Sequence, residues 1–404
     1  MSVAGRGEAP AKTPAKTPSK TPSKTAACFF YGTLAHPPLL ATVLGRAAPS
    51  IPAVLPGYRA VWAKEHTFPM LVPDARAGGA EGVLVQGLTD SDLARLGYYE
   101  AGLATEDHNV RVPATGEIVR VRVYLTPEGA FAPGAPWRLS DWAARWVATV
   151  TAAAGDFLRG FGQSDPHEML RRYHQMLIRG GARVRAGDPG PAAVRRQPLP
   201  GDVTEKAFRQ PYAQYFAVEE YDLRFRRFDG TMSDVLTRAV FISGDASVVL
   251  PYDPVRDRVL VIEQWRAGPH ARGDALSWLI EAVAGRVDGG ETPEDAARRE
   301  AMEEAGLTLG ALIPVSHFYP SPASQQEYIY SFVGIADLPD GAAGIGGHPG
   351  EGEDIRSHVI PFARLMELVA TGEVNNAPLV ILALWLDKHR DAIRRDHGSG
   401  AAGA

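Results

Sequence analysis

Apolar and polar positions change their period along the chain, and the changes mark its parts. Residues 1–26 carry almost nothing apolar: lysines stand at 12, 16, 20 and 24 and prolines at 14, 18 and 22. Proline fixes φ and removes backbone donors, so this stretch predicts no helix. It also has too little apolar surface to offset chain entropy, which predicts a disordered tail. An apolar run then opens at Ala26-Ala27-Cys28-Phe29-Phe30-Tyr31 and stops at Gly32; it reads as a buried strand. Short strands broken by Gly and Pro follow to about residue 125, among them Ala60–Trp62, Gly82–Gly87 and Ile118–Tyr124. The last alternates apolar and charged residues, the period of a half-exposed strand.

Residues 140–160 and 165–179 read as helices. Residues 181–202, with four prolines and four glycines, read as a linker. Alternation resumes at Tyr221–Phe228, and Asp229-Gly230 predicts a tight hairpin turn. Strands are predicted over 235–242, 246–250 and 258–263, and helices over 293–305, 361–371 and 377–395. The chain therefore divides into a tail (1–26), a first domain (27–160), a helical segment and linker (161–205), a second domain (206–396) and a flexible end (397–404). Mixed strands and helices place both domains in the α+β or α/β classes.

Composition removes some functions. The net charge of −5 gives no general basic face for nucleic acid. Only the tail, with a charge of about +4 from Arg6 and four lysines less Glu8, offers a contact to nucleic acid or an acidic partner. One cysteine, Cys28, excludes an intramolecular disulfide and fits a reducing cytoplasm. No apolar run reaches the roughly 18 residues of a membrane span, and the start lacks the apolar core of a signal peptide.

The densest chemistry lies between Gly285 and Leu307. A glycine-rich loop leads to Thr292, a good N-cap, and Pro293 suits the first helical position. Gly306 supplies the stop. Between them Glu300, Glu303 and Glu304 fall on one helix face, where like charges repel unless a cation sits among them. An oxygen-only set suits Mg²⁺ or Mn²⁺. Gly285, Glu291, Arg299-Glu300, Ala301, Glu303-Glu304, Gly306 and Leu307 together resemble the Nudix box. That resemblance implies an α/β/α sandwich that hydrolyses a nucleoside diphosphate linked to another group. It implies metal ligation by Glu300 and Glu304, with help from Glu303 and the Ala284 carbonyl. Glu291 would hold Arg299, which would orient the carboxylates.

The flanks from about Tyr221 to Ala392 resemble the ADP-ribose pyrophosphatase subfamily. Pro322 stands fifteen residues past Leu307, Arg238 and Arg266 match its substrate-binding arginines, and Glu351–Arg356 matches its acidic loop. The resemblance implies Glu351 as catalytic base, Glu353 as a further metal ligand, and a homodimer in which both chains build the pocket. It implies hydrolysis of ADP-ribose to AMP and ribose 5-phosphate. Another nucleotide sugar as substrate, or a sensor of ADP-ribose that regulates the first domain, are the alternatives.

In the first domain, Tyr31-Gly32-Thr33-Leu34 at a strand end and Tyr99-Glu100 further on resemble the gamma-glutamylcyclotransferase-like fold, a small mixed β-barrel. The resemblance implies that Glu100 moves protons while the Tyr31–Leu34 loop holds a glutamyl end. The pairing of both modules is similar to bacterial proteins labelled as tellurite-resistance proteins.

Overall fold

The structure is a computed structural model describing residues 26–187, 190–347 and 352–398. Residues 1–25 of the tail, Glu351 and residues 399–404 of the flexible end fall outside these residues, and Ala26 belongs to the first strand. Contacts divide the chain into two compact units, one of residues up to Ala35 with Ala47–Trp137, the other of His36–Arg46 with Arg138 onward.

The first unit begins with β1 (Ala26–Phe30). The next helix, α1 (Pro37–Leu44), counts with the second unit. The first unit continues through β2 (Ile51–Leu55), β3 (Tyr58–Ala63), β4 (Pro69–Pro73), β5 (Ala80–Leu88), α2 (Asp90–Tyr99), β6 (Ala104–Arg111), β7 (Ile118–Leu125) and β8 (Pro133–Pro136). Strands close into a barrel in the order β1-β5-β2-β6-β7, and β4-β3-β8 form a small separate sheet. The barrel is mixed because β1 runs parallel to β7 and antiparallel to β5. Along β7, Val121 and Val123 enter the core with Phe29 and Leu84, while Arg120 and Arg122 face out. Burying alternate residues is what a period of two allows. A Cβ on Gly82 would strike the Phe30 carbonyl, so only glycine lets β5 lie so close to β1.

The second unit carries α3 (Leu139–Leu158), α4 (Pro166–Arg171), α5 (Tyr173–Arg185), β9 (Val203–Ala213), β10 (Ala217–Phe225), β11 (Leu236–Ile242), β12 (Ala246–Asp253) and β13 (Arg258–Trp265). Then come α6 (Ala267–Arg272), β14 (Trp278–Glu281), β15 (Val283–Arg286), α7 (Pro293–Ala305), β16 (Leu312–Phe318), β17 (Ile329–Ile335), β18 (Ile345–Gly346), β19 (Ile355–Pro361), α8 (Phe362–Thr371) and α9 (Ala377–His397). The central sheet is mixed, in the order β16-β17-β12-β13-β19-β18, with β14 on β13 and β15 on β12. Its two faces bury different residues. Val248, Leu250 and Val261 pack with Leu365, Leu379 and Leu382 of α8 and α9. Val249, Leu260 and Ile262 pack with Ala297 and Ala301 of α7. Helices cover both faces, so the sheet is sandwiched. A separate sheet, β11-β10-β9, precedes it, and the Asp229-Gly230 turn joins its strands, with Gly230 at φ 86°.

Two sequence expectations change here. The compact units divide after Trp137, so α3, assigned by sequence to the first domain, packs in the second unit. The linker expected from residue 181 is still helix to Arg185. A Cβ on Gly180 would come within 2.7 Å of the Thr149 carbonyl, so this glycine serves a close crossing of α5 on α3. Ion pairs secure α5. Arg179 donates to Asp156 at 3.0 Å with both side chains buried, and Arg183 and Arg185 reach Glu219 and Asp245, each at 2.7 Å. Removing one partner of a buried pair strands the other charge. Arg179→Leu is therefore expected to destabilise the second unit by about 3 kcal/mol. In a urea titration of the full chain, that unit's transition should shift to lower urea while the first unit's holds; an unmoved transition would show the pair to be dispensable.

Candidate active site

Local rules build α7. The Thr292 hydroxyl caps α7 by accepting the N–H of Asp295 at 3.1 Å, and Gly306 ends the helix in the left-handed region at φ 64°. One side of α7 is apolar and buried; the other presents Arg299, Glu300 and Glu303 to a cavity of about 350 Å³.

Arg299 organises this face. Its Nε and one terminal nitrogen grip both oxygens of Glu291, at 3.0 and 3.1 Å. The other terminal nitrogen donates to Glu300 at 2.7 Å and Glu303 at 2.9 Å, and a fifth bond goes to the Arg286 carbonyl at 3.0 Å. Every N–H of a guanidinium is then used, which lysine could not imitate. Glu291 also accepts the Asp288 N–H at 3.1 Å, tying helix to glycine loop. A Cβ on Gly285 would fall on the Glu300 carboxylate and displace it from Arg299.

Glu304 sits behind this layer, 2% exposed, and accepts the Ala284 N–H at 3.1 Å. Burial pushes its carboxyl up to about 9, and repulsion from Glu300 and Glu353 adds to the rise. Burial likewise lifts Glu300 to about 7, with Arg299 opposing and Glu303 and Glu353 assisting. Among the described residues no three such side chains form a closed metal cage. The arrangement is instead an open cluster of mutually repelling, partly desolvated carboxylates. A divalent cation relieves that repulsion, and the all-oxygen donors suit a hard one, so the residues fit a metal.

The cavity gathers Ala284, Glu300, Glu303, Glu353, Arg266 and Arg299. Arg266 is fixed on Glu281 through bonds of 2.9 and 2.7 Å. Arg238 and Pro322 are exposed and lie off this cavity's wall. Several lining residues escaped the sequence reading. Tyr215 and Phe216 form an aromatic wall with ring centroids 4.7 Å apart; a pair of adjacent aromatics before a strand was the available signal. Glu327, raised by burial and by Asp245, has no spacing signal. Asn376, which by sequence opens the C-terminal helix, caps α9 and donates to the Ile280 carbonyl at 2.6 Å. Gly346 and Gly347 serve close packing. A Cβ on Gly346 would strike the Glu304 carbonyl, and one on Gly347 would lie 2.9 Å from the Glu353 Cβ.

The first unit has its own acidic site. Glu100 closes the C-terminal end of α2, its N–H donating to the Leu96 carbonyl at 2.8 Å. Burial raises its carboxyl to about 7. Burial first, and then the charge of Glu100, push the Tyr31 hydroxyl well above its ordinary range. Tyr124 is pushed up to about 12 by burial, with Cys28 and Glu100 contributing. Tyr31 and Leu34 are buried, and Gly32 and Thr33 partly so, in the turn Thr33–Ala35.

Both units match known families. Residues 243–382 match the family model of the NUDIX domain, and residues 28–144 that of gamma-glutamyl cyclotransferase, AIG2-like. The ADP-ribose pyrophosphatase of Escherichia coli (strain K12) is 41% identical over 185 residues, 46% of this chain and 88% of that protein. The ADP-ribose pyrophosphatase of Haemophilus influenzae is 37% identical over 177 residues, 43% and 81% of the two. The GDP-mannose pyrophosphatase of Escherichia coli is 32% identical over 174 residues, 43% and 88%. The chain belongs to the Nudix hydrolase family, and most of its first unit lies within the stretch similar to gamma-glutamyl cyclotransferase, AIG2-like. Among the described residues no helix is long and apolar enough to cross a membrane.

Glu100 yields a pH prediction. Its folded value of about 7 exceeds the ordinary 4.5. Its protonated form therefore stabilises the first unit fully below pH 4.5, and that contribution is lost as pH rises through 7. The loss is at most on the order of 3 kcal/mol. Glu100→Gln should flatten the melting profile of this unit between pH 5 and 8, measured by calorimetry; an unchanged slope would mean that Glu100 titrates normally.

Proposed function

We propose that the second unit hydrolyses the pyrophosphate of ADP-ribose to AMP and ribose 5-phosphate. The observation that carries this reading is the Arg299 network, which holds Glu300 and Glu303 in a cavity that Tyr215 and Phe216 also line. That combination suits a nucleoside joined to a diphosphate. Identity of 41% to an ADP-ribose pyrophosphatase supports the choice of substrate. The GDP-mannose pyrophosphatase relative favours a second reading, another nucleotide sugar.

Glu300 and Glu304, with Glu303, Glu353 and the Ala284 carbonyl, would hold Mg²⁺ or Mn²⁺. When bound, the metal neutralises phosphate charge and makes water a stronger nucleophile. The protein's own groups do the rest. Arg299 keeps Glu300 and Glu303 turned to the cavity, and Glu291 keeps Arg299 in place. Arg266 and Arg238 would bind the substrate, with Pro322 shaping the turn beside it, and Arg238 and Pro322 would act across a homodimer. Glu351 would take the proton of the attacking water. In the first unit, Glu100 would shuttle a proton as a γ-glutamyl amine attacks its own amide carbonyl, releasing 5-oxoproline, with the Tyr31–Leu34 turn holding the glutamyl end. Both activities fit a cytoplasmic setting.

The test is product release from ADP-ribose and a panel of nucleotide sugars, with Mg²⁺ and with chelator. AMP should form fastest from ADP-ribose and only with metal. Glu304→Gln should lower kcat by at least about 10³-fold, because several kcal/mol of charge stabilisation depend on the metal, while circular dichroism stays unchanged. Wild-type turnover in that variant would sink the reading. Faster release from GDP-mannose would transfer it to the second substrate class.

A further inference from the structure

Helices α3–α5 lie outside residues 243–382, the stretch matched as Nudix. They nevertheless dock on the loop that opens the Nudix box. Arg145 donates to the Gly290 carbonyl at 3.1 Å. A Cβ on Gly290 would lie 2.7 Å from the Trp146 ring, and one on Gly289 would lie 3.0 Å from Leu177. His174 stands 3.6 Å from Asp288. The most pointed of these contacts comes from Gln175 on α5, whose side-chain oxygen accepts a 2.7 Å hydrogen bond from Arg286.

Arg286 ends β15, and its side chain lines the cavity. Its guanidinium carbon lies 3.9 Å from the centroid of Tyr215, which lines the same cavity and is half exposed. A guanidinium over an aromatic ring makes a flat, cationic and polarisable surface. Nucleobases stack on both aromatic rings and guanidinium planes. Arginine side chains lose much rotamer freedom when they are ordered. Gln175 imposes that order before a ligand arrives, which favours binding rather than the chemical step.

We propose that Arg286 is a specificity-determining residue of the pyrophosphatase, forming with Tyr215 a platform for the nucleobase end of the substrate, and that Gln175 is its positioning residue. The inference rests on the nucleotide-hydrolase reading above and deepens it. The connecting helices thereby belong to the substrate site.

Full-length Gln175→Leu, Gln175→Glu and Arg286→Met proteins test this through KM and kcat for ADP-ribose and through calorimetric titration with AMP in chelator. Gln175→Leu and Arg286→Met should each raise KM and weaken AMP binding about tenfold, with kcat within about twofold. Glutamate keeps an acceptor for Arg286, so Gln175→Glu should restore both. The double Gln175→Leu, Arg286→Met protein should bind no worse than Arg286→Met alone. A purely structural loss would instead lower kcat through Arg299 and leave KM unchanged; that result overturns the proposal, as does unchanged AMP affinity in both single variants. If the unaltered protein binds AMP but does not cleave ADP-ribose, the reaction assigned above fails while the titration still decides the platform. AMP that does not bind the unaltered protein overturns both.

Discussion

Five hydrogen bonds from Arg299 hold the pyrophosphatase site together. Without them, Glu300 and Glu303 would stand on one face of α7 with nothing to fix their direction, and Glu291 would have no reason to reach across from the loop. Burial works against the guanidinium's charge, and hydrogen bonds and charges of Glu291 and Glu300 more than offset it. Position and charge are settled together: a planar fork with five donors can serve three carboxylates and a carbonyl, whereas a point charge cannot.

Around that fork the fold supplies close approach. Gly285 yields its side-chain space to the Glu300 carboxylate, and Gly346 lets β18 press on the C-terminal turn of α7. Glu304 lies beneath, protected from solvent and repelled by its neighbours. A site of this kind resists ionisation when alone and accepts a cation readily, so metal affinity and proton affinity compete for the same oxygens. The α3–α5 helices add a second support to the glycine loop, and their ion pairs to Glu219 and Asp245 anchor them to the rest of the unit.

Elements with a strong local rule were legible from residues alone. Helix α7 begins at Pro293 and ends before Gly306 because cap, first-turn proline and left-handed stop are chosen by neighbouring residues. Strand β7 alternates because one of its faces meets the barrel core. Gly180 and Gly181 misled the reading, since glycine marks a flexible joint and a tight helix crossing with the same letter. Only the neighbour, here Thr149, distinguishes them. The two-residue β18, and the short β14 and β15, are held by partners rather than by any period of their own.

The sequence by itself determined the chemistry of the second unit, because the box places carboxylates and arginine within one helix and its preceding loop, where spacing is geometry. The tertiary structure decided what those residues face. Tyr215, Glu281, Arg286 and Glu327 come from separate strands and turns, and no spacing rule relates them. The same holds for Gln175 and Arg286, which are 111 residues apart. Local order is written in backbone preference; the walls of a cavity depend on which surfaces pack.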